Sequence, residues 1–351
     1  MNIFVIRVPL SYLNAIEAKH HFGLLSENCI LIILYQDHQS IDIQHLKKLV
    51  DQNEWERILY LPYNVKSFAK SQGYNLKQIR LRKAFIIKEF LSFVNDQLRA
   101  IKSVQKIFIG DFNIPIMRHI CWKVKSREIF NIDEGFKAYQ LIDDEKFQRA
   151  CGLKNKVKYF MAKLFFGYNM NLLQGVKYFT AISVPWADNS RIVINYYEKL
   201  RSAIKDLHRT DDVYFIGQSL SEIGAMDEDV YLNYLVRINT WFDGKLCYIP
   251  HRGDCENKLK KIENVLGLKV INFGMPIEYQ LANGSIIPNK IAGFLSSALQ
   301  NLNLIFSNKI EIYSFKIQSN DISVEKRYLF ETYYDYLQKL DLSSFYFVEL
   351  N

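Results

Sequence analysis

Short apolar runs separated by amphipathic stretches constrain this chain more than any other feature. Ile3–Val8 reads as a buried first strand, followed by a turn at Pro9 and a helix from about Ser11 to His21. Cys29–Tyr35 is a second apolar run, Ile41–Val50 is amphipathic and helical, and Arg57–Leu61 is a further short strand. Leu, Phe and Ile recur at helical spacing and predict one long helix over Leu76–Ile101. Lys106–Gly110 is a strand ending in Gly-Asp, and Arg127–Phe130 is another. Strands that alternate with helices in this way argue for an α/β fold with a doubly wound parallel sheet.

The alternation then starts again. A helix over about Ile194–Leu207 leads to a strand at Val213–Ile216, and a helix over Asp227–Phe242 leads to a strand at Lys245–Ile249. Lys258–Leu266 and Lys269–Asn272 repeat the pattern. A short helix follows at Pro276–Leu281, then Lys290–Leu295, a helix from Ser296, a strand at Lys309–Ser314 and a helix over Ser323–Leu340. A chain of 351 residues exceeds one ordinary core and suits two domains of about 150 to 200 residues each. We place them at 1–188 and 189–322, with the C-terminal segment 323–351 expected to be helical and to pack back on the first. Two successive α/β units describe a two-Rossmann architecture, whose ligands sit beyond the carboxyl ends of the strands, here in the cleft between the domains. No internal repeat is visible in the sequence.

Composition narrows the partners. Hydrophobic residues make up 49% and charged residues 23%, which excludes a disordered chain. The net charge of +8 favours an anionic partner: a nucleotide, a phospholipid surface or nucleic acid. Basic residues are dense in Lys77–Lys83 and Lys154–Lys158. Each reads first as a solvated helix face, then as an anionic-membrane patch, and last as a nucleic-acid groove. The aromatic residues are read mainly as core. The five cysteines, Cys29, Cys121, Cys151, Cys247 and Cys255, form no CxxC pair. This argues against disulfides and zinc and fits a reducing cytoplasm. The N-terminus lacks the pattern of a signal peptide, and no apolar run approaches the length of about 20 residues that spans a bilayer.

The chemistry-bearing residues fall at strand ends. In Asn131-Ile132-Asp133-Glu134-Gly135, two adjacent carboxylates suit a general base, because like charges side by side raise one pKa. The plain alternative is an acidic helix start. In Tyr248-Ile249-Pro250-His251-Arg252-Gly253-Asp254, the histidine can donate to a phosphate and the arginine can fork onto a phosphate or carboxylate. The plain alternative is a surface turn. Glu278, in Met275-Pro276-Ile277-Glu278, can accept ribose hydroxyls or can simply sit on a helix dipole. Ser296 and Ser297 open a helix, as an anion site or as an ordinary N-cap. Gly217 and Gln218 follow the strand Tyr214-Phe215-Ile216 and are expected on the floor of the same crevice. Each signal is weak alone; their recurrence after separate strands suggests an enzyme that handles a sugar nucleotide.

The pattern resembles the bacterial sialyltransferases and polysialyltransferases of glycosyltransferase family 52 and its relatives. The resemblance is carried by Ile3–Leu10 with Leu13–Glu17, and by Asp133-Glu134-Gly135, Phe215–Gln218, Tyr248–Arg252, Pro276–Glu278 and Ser296–Leu299. It implies a GT-B arrangement, two Rossmann-like domains facing each other across a cleft. It also implies an inverting transferase that needs no metal or other cofactor and moves a nonulosonic acid, sialic acid or a relative, from a CMP-activated donor. The acceptor implied is a hydroxyl of a bacterial surface glycan, lipooligosaccharide or capsule. Carried over, Asp133 or Glu134 (Glu134 by preference) deprotonates the acceptor, and His251 meets the departing phosphate. Ser296 and Ser297 hold that phosphate, and Glu278 binds the ribose. Gln218 and Gly217 line the donor site. Many relatives have His-Pro where this chain has His251-Arg252, and Arg252 is assigned to the donor carboxylate. The expected partners are a nucleotide-sugar donor and a glycan acceptor, in the cytoplasm, with peripheral contact to the anionic inner membrane left open. A transferase for another nucleotide sugar is the alternative. A basic nucleic-acid-binding protein is disfavoured, because it would interleave basic and aromatic residues along one surface.

Overall fold

The computed structural model describes residues 1–37, 40–135, 153–182, 189–204, 208–340 and 342–350. The chain divides into two compact units, Met1–Lys199 and Leu200–Asn351. The boundary expected at 188 lies outside the described residues.

The first unit is built on a seven-stranded sheet. Its strands are β1 (Asn2–Ile6), β2 (Cys29–Tyr35), β3 (Arg57–Pro62), β4 (Lys106–Ile109), β5 (Glu128–Ile132), β6 (Lys177–Thr180) and β7 (Ile192–Ile194). They lie in the order β3-β2-β1-β4-β5-β6-β7, and every pairing is parallel. β1 and β2 are buried along their whole length, as strands of a sheet covered by helices on both faces must be. Parallel register sets Phe4 beside Phe108 and Phe108 beside Phe130. The rings form a ladder across three strands, with centroids 4.4 and 5.1 Å apart. Each buried phenylalanine contributes about 1.5–3 kcal/mol.

The second unit repeats the plan with a six-stranded sheet. Its strands are β8 (His208–Ile216), β9 (Leu246–Ile249), β10 (Lys269–Val270), β11 (Ile286–Gly293), β12 (Glu311–Lys316) and β13 (Phe345–Glu349). The order β10-β9-β8-β11-β12-β13, again all parallel, is that of the first six strands of unit one. The α/β class with two doubly wound parallel sheets is therefore as expected. The repeat absent from the sequence is present in the topology, because strand order depends on the positions of buried runs and not on residue identity.

Several elements differ from expectation. The long helix over 76–101 is two helices, Leu76–Leu81 and Lys83–Leu98, broken at Arg82. Nothing in the local sequence marks the break. The helix expected over 194–207 is shorter, Glu198–Ala203, because Ile192–Ile194 is taken up as the edge strand of the first sheet. The segment after the helix Val324–Lys339 is not helical, because β13 pairs along β12 and extends the second sheet. Residues 323–350 thus belong to the second unit.

Candidate functional site

In each sheet the strand order reverses at one point, between β1 and β4 in unit one and between β8 and β11 in unit two. The connections leave these strands in opposite directions, so a crevice opens at their carboxyl ends. The polar residues singled out from the sequence follow these strands or their neighbours: Asp133 and Glu134 come after β5, Gln218 after β8, His251 after β9 and Ser296 after β11.

In unit one the acids Asp133 and Glu134 follow directly on β5. They do not act as a pair. Successive residues of an extended chain point to opposite sides, and these two reach different partners. The Asp133 carboxylate accepts the Ala181 N–H at 2.8 Å, past the end of β6, and is also bonded to Thr180. Its backbone carbonyl accepts Asn14 Nδ2 at 2.9 Å, and Asn14 is bonded in turn to Asn195. Burial pushes the Asp133 carboxyl up to about 7, against those hydrogen bonds. The cause is desolvation and not the neighbouring glutamate.

Glu134 turns instead to the crevice strands. Its carboxylate accepts Arg7 Nη2 at 2.8 Å, and Arg7 is the first residue past β1. Burial opposes the arginine's charge, but Glu134 outweighs it, and the Arg7 pKa is raised. The guanidinium also lies over the Tyr63 ring, 5.7 Å from its centroid. Glu134 can lie there because residue 110, past β4, has no side chain: a Cβ on Gly110 would collide with the Glu134 carboxylate. The chain then turns at Gly135, whose φ of 90° favours glycine.

In unit two, β9 runs into the loop of His251, and that loop is held from below. Asp254 Oδ2 accepts the His251 N–H at 2.8 Å and the Tyr248 hydroxyl at 2.9 Å. Asp254 Oδ1 accepts Lys258 Nζ at 2.7 Å. Lys258 also donates to Glu222 and to the carbonyl of Gln218, and its ammonium sits 4.6 Å from the centre of the Tyr231 ring. One buried cation thereby ties the loop after β8 to the loop after β9. Gly217 lets them approach: a Cβ there would meet the carbonyl of Ile249 at 2.8 Å, and the Tyr248 hydroxyl as well.

His251 is solvent-exposed, and its Nδ1 accepts the Gly253 N–H at 3.0 Å. An imidazole that accepts at Nδ1 carries its proton on Nε2 when neutral. The packed loop and then the Arg252 charge lower its pKa, which favours that neutral form near pH 7. In that neutral form the ring offers an Nε2–H donor. Arg252 is exposed beside it.

Gln218 bridges the crevice: its amide donates to the Leu295 carbonyl and accepts the Leu295 N–H at 3.1 Å. Ser296 caps the helix Ser297–Phe306 by accepting the Ala298 N–H at 3.3 Å. That bond uses one acceptor of the hydroxyl and leaves its O–H proton to give. Glu278, at the start of the helix Ile277–Asn283, is buried and accepts Asn301 Nδ2 at 2.9 Å. Burial raises its pKa, against that bond. In unit two, then, Gly217, Gln218, His251, Arg252 and Ser296-Ser297 gather at adjacent strand ends, and Asn301 joins Glu278 to the capped helix. The sequence reading missed Arg7, Glu222, Tyr231 and Lys258. Two signals were present: Arg7 ends an apolar run at a strand end, and Lys258 stands one helical turn beyond Asp254.

No protein-family model matches the chain, and no curated protein matches it. Among solved structures, the chain is similar to several at low identity. A UDP-GlcNAc 2-epimerase from Methanocaldococcus jannaschii is 9% identical with a TM-score of 0.45, over 100% of this chain and 89% of that one. A sialyltransferase from Photobacterium damsela is 14% identical with a TM-score of 0.44, over 99% and 81%. Arabidopsis thaliana UGT89C1 complexed with UDP is 10% identical with a TM-score of 0.48, over 99% and 86%. At this distance they assign the chain neither a family nor a substrate.

Proposed function

We propose that this protein is a glycosyltransferase of the GT-B type that moves a nonulosonic acid from a CMP-activated donor to a hydroxyl of a bacterial surface glycan. The reading rests on the motif resemblance, and one observation carries its chemistry: His251, pinned at Nδ1 by Gly253 and lowered in pKa, presents a neutral Nε2–H beside Arg252. In the transfer, the acceptor oxygen bonds to the anomeric carbon from the face opposite the phosphate, and the configuration inverts. The carbon–oxygen bond to phosphate breaks, and its electron pair leaves with CMP. The His251 Nε2–H and the hydroxyls of Ser296 and Ser297 donate to that phosphate as its charge grows. By the resemblance, the acceptor proton passes to the Asp133-Glu134 pair. Within the pair we assign it to Glu134, whose carboxylate lies with Arg7 and Gly110 at the ends of β1 and β4, whereas that of Asp133 is taken up by Ala181 and Thr180. Glu278 and the Gln218–Leu295 bridge shape the nucleoside side of the site, and Arg252 meets the donor carboxylate. The proposal invokes no metal or cofactor.

Thermal shifts with CMP, CDP, UDP and GDP test the donor class, because a ligand that binds only the folded state raises its stability. Stabilisation by CMP and not by UDP or GDP is expected. A preference for UDP or GDP would transfer the proposal to another nucleotide sugar. Undiminished turnover of the CMP donor in EDTA is the matching expectation for a metal-free reaction.

A further inference from the structure

The helix Leu153–Phe166 carries its apolar residues on the wrong side for a core helix. Its inward positions are Tyr159, Ala162 and Phe166, at helical spacing and only partly exposed, and Arg118 lies over the Tyr159 ring. The opposite stripe holds Val157, Phe160, Met161, Leu164 and Phe165, all exposed, with Phe160 at 62% and Leu164 at 64%. Single exposed apolar residues are ordinary, but five on one helical stripe are not. The helix has no acidic residue, and Lys156, Lys158 and Lys163 are exposed beside the stripe.

The helix packs against Lys83–Leu98. The start of that helix and the short one before it, 76–88, also mix exposed apolar and basic residues without an acid. Leu76, Leu81 and Phe85 are exposed, Leu81 at 76%, among the exposed Lys77, Arg80, Arg82 and Lys83. Among the described residues no helix is long and apolar enough to cross a membrane. An apolar stripe fringed by lysine and free of acid fits a helix that lies in the interface of a bilayer. The charge selects the occupant: an anionic lipid surface complements the lysines and arginines that flank the exposed apolar residues of each helix.

We propose that unit one docks on an anionic lipid bilayer through the helices 153–166 and 76–98, with Phe160 and Leu164 entering the headgroup boundary and the lysines and arginines pairing with lipid charge. This inference does not depend on the transferase reading, since the residues are remote in sequence from those assigned to chemistry.

The test is flotation of the full chain with phosphatidylcholine vesicles and with vesicles containing phosphatidylglycerol, at low and high salt. Binding to the phosphatidylglycerol vesicles should be at least about tenfold stronger and should weaken with salt. Phe160→Asp with Leu164→Asp, at exposed positions, should abolish it while the circular dichroism stays unchanged. Lys156→Glu with Lys158→Glu should remove the lipid preference. Absence of vesicle binding, or equal binding by the Asp variant, overturns the proposal. So does a dimer in gel filtration that the Asp variant dissociates in a protein that binds no vesicles, because the stripe is then a contact between copies.

Discussion

Lys258 Nζ lies 2.7 Å from Asp254 Oδ1, and neither side chain is exposed to solvent. A buried ammonium and a buried carboxylate each cost several kcal/mol to desolvate, about as much as their attraction returns, so the pair is better understood as a fastener than as a source of stability. Its cation also holds Glu222 and the Gln218 carbonyl, and its anion holds the backbone of His251. Lys258→Met should therefore cost about 3–5 kcal/mol in urea unfolding, because it leaves the buried Asp254 carboxylate without a counter-charge. Adding Asp254→Asn should recover part of that loss. A loss below about 1 kcal/mol for the single variant would mean that the loops stay closed without the cation.

His251 is argued to act as a neutral donor. His251→Ala should lower turnover of the CMP donor by about 100-fold and leave the unfolding midpoint nearly unchanged. The ionisation of His251 should appear below its ordinary value of about 6.5, since the packed loop and Arg252 lower it. Activity should thus hold from neutral pH down to that point and fall as the ring gains a second proton and loses the Gly253 bond. A His251 titration above 7 by NMR would contradict this.

Asp133 gives a stability prediction of opposite sign to the usual carboxylate. Its folded pKa of about 7 exceeds the ordinary value near 3.8, so the folded state holds the proton more tightly. Its contribution is fully present below about pH 4, shrinks between pH 4 and 7, and is a constant penalty above that. Asp133→Asn keeps an acceptor for the Ala181 N–H and removes the ionisation. It should raise stability by about 1–3 kcal/mol at pH 8 and by little at pH 4. A gain independent of pH would refute the assignment. A kinetic limb near pH 7 that vanishes in this variant would move the base from Glu134 to Asp133.

Two glycines separate fold from site. Gly217→Ala places a methyl against the Ile249 carbonyl, which is backbone and cannot yield, so a loss of about 1–3 kcal/mol is expected. Gly110→Ala first meets the Glu134 side chain, its carboxylate and Cγ, rather than backbone. It should displace that carboxylate from Arg7 and cut turnover by at least about tenfold, with a smaller change in stability. Equal effects of the two variants on stability would show that Glu134 is as rigidly held as the backbone.

Much of the fold was legible because parallel strands buried on both faces are continuous apolar runs. Ile3–Val8 and Cys29–Tyr35 could hardly be read otherwise. The edge strands β7 and β13 were not, since Ile192–Ile194 and Phe345–Glu349 are short, half-exposed and lack that signature. The site residues were legible as polar groups after strands. Their partners were not, because Arg7 and Glu134 stand 127 residues apart, as Gln218 and Leu295 stand 77 apart.

The sequence by itself determined the α/β class, the succession of two units and the polar residues at their strand ends. These follow from hydrophobic period and from glycine and proline punctuation, which are local. Only the tertiary structure decided that Asp133 and Glu134 face apart, that Lys258 fastens the His251 loop, and that Gln218 is committed to Leu295. Those outcomes depend on which strands lie side by side, and strand order is set by packing across the whole sheet.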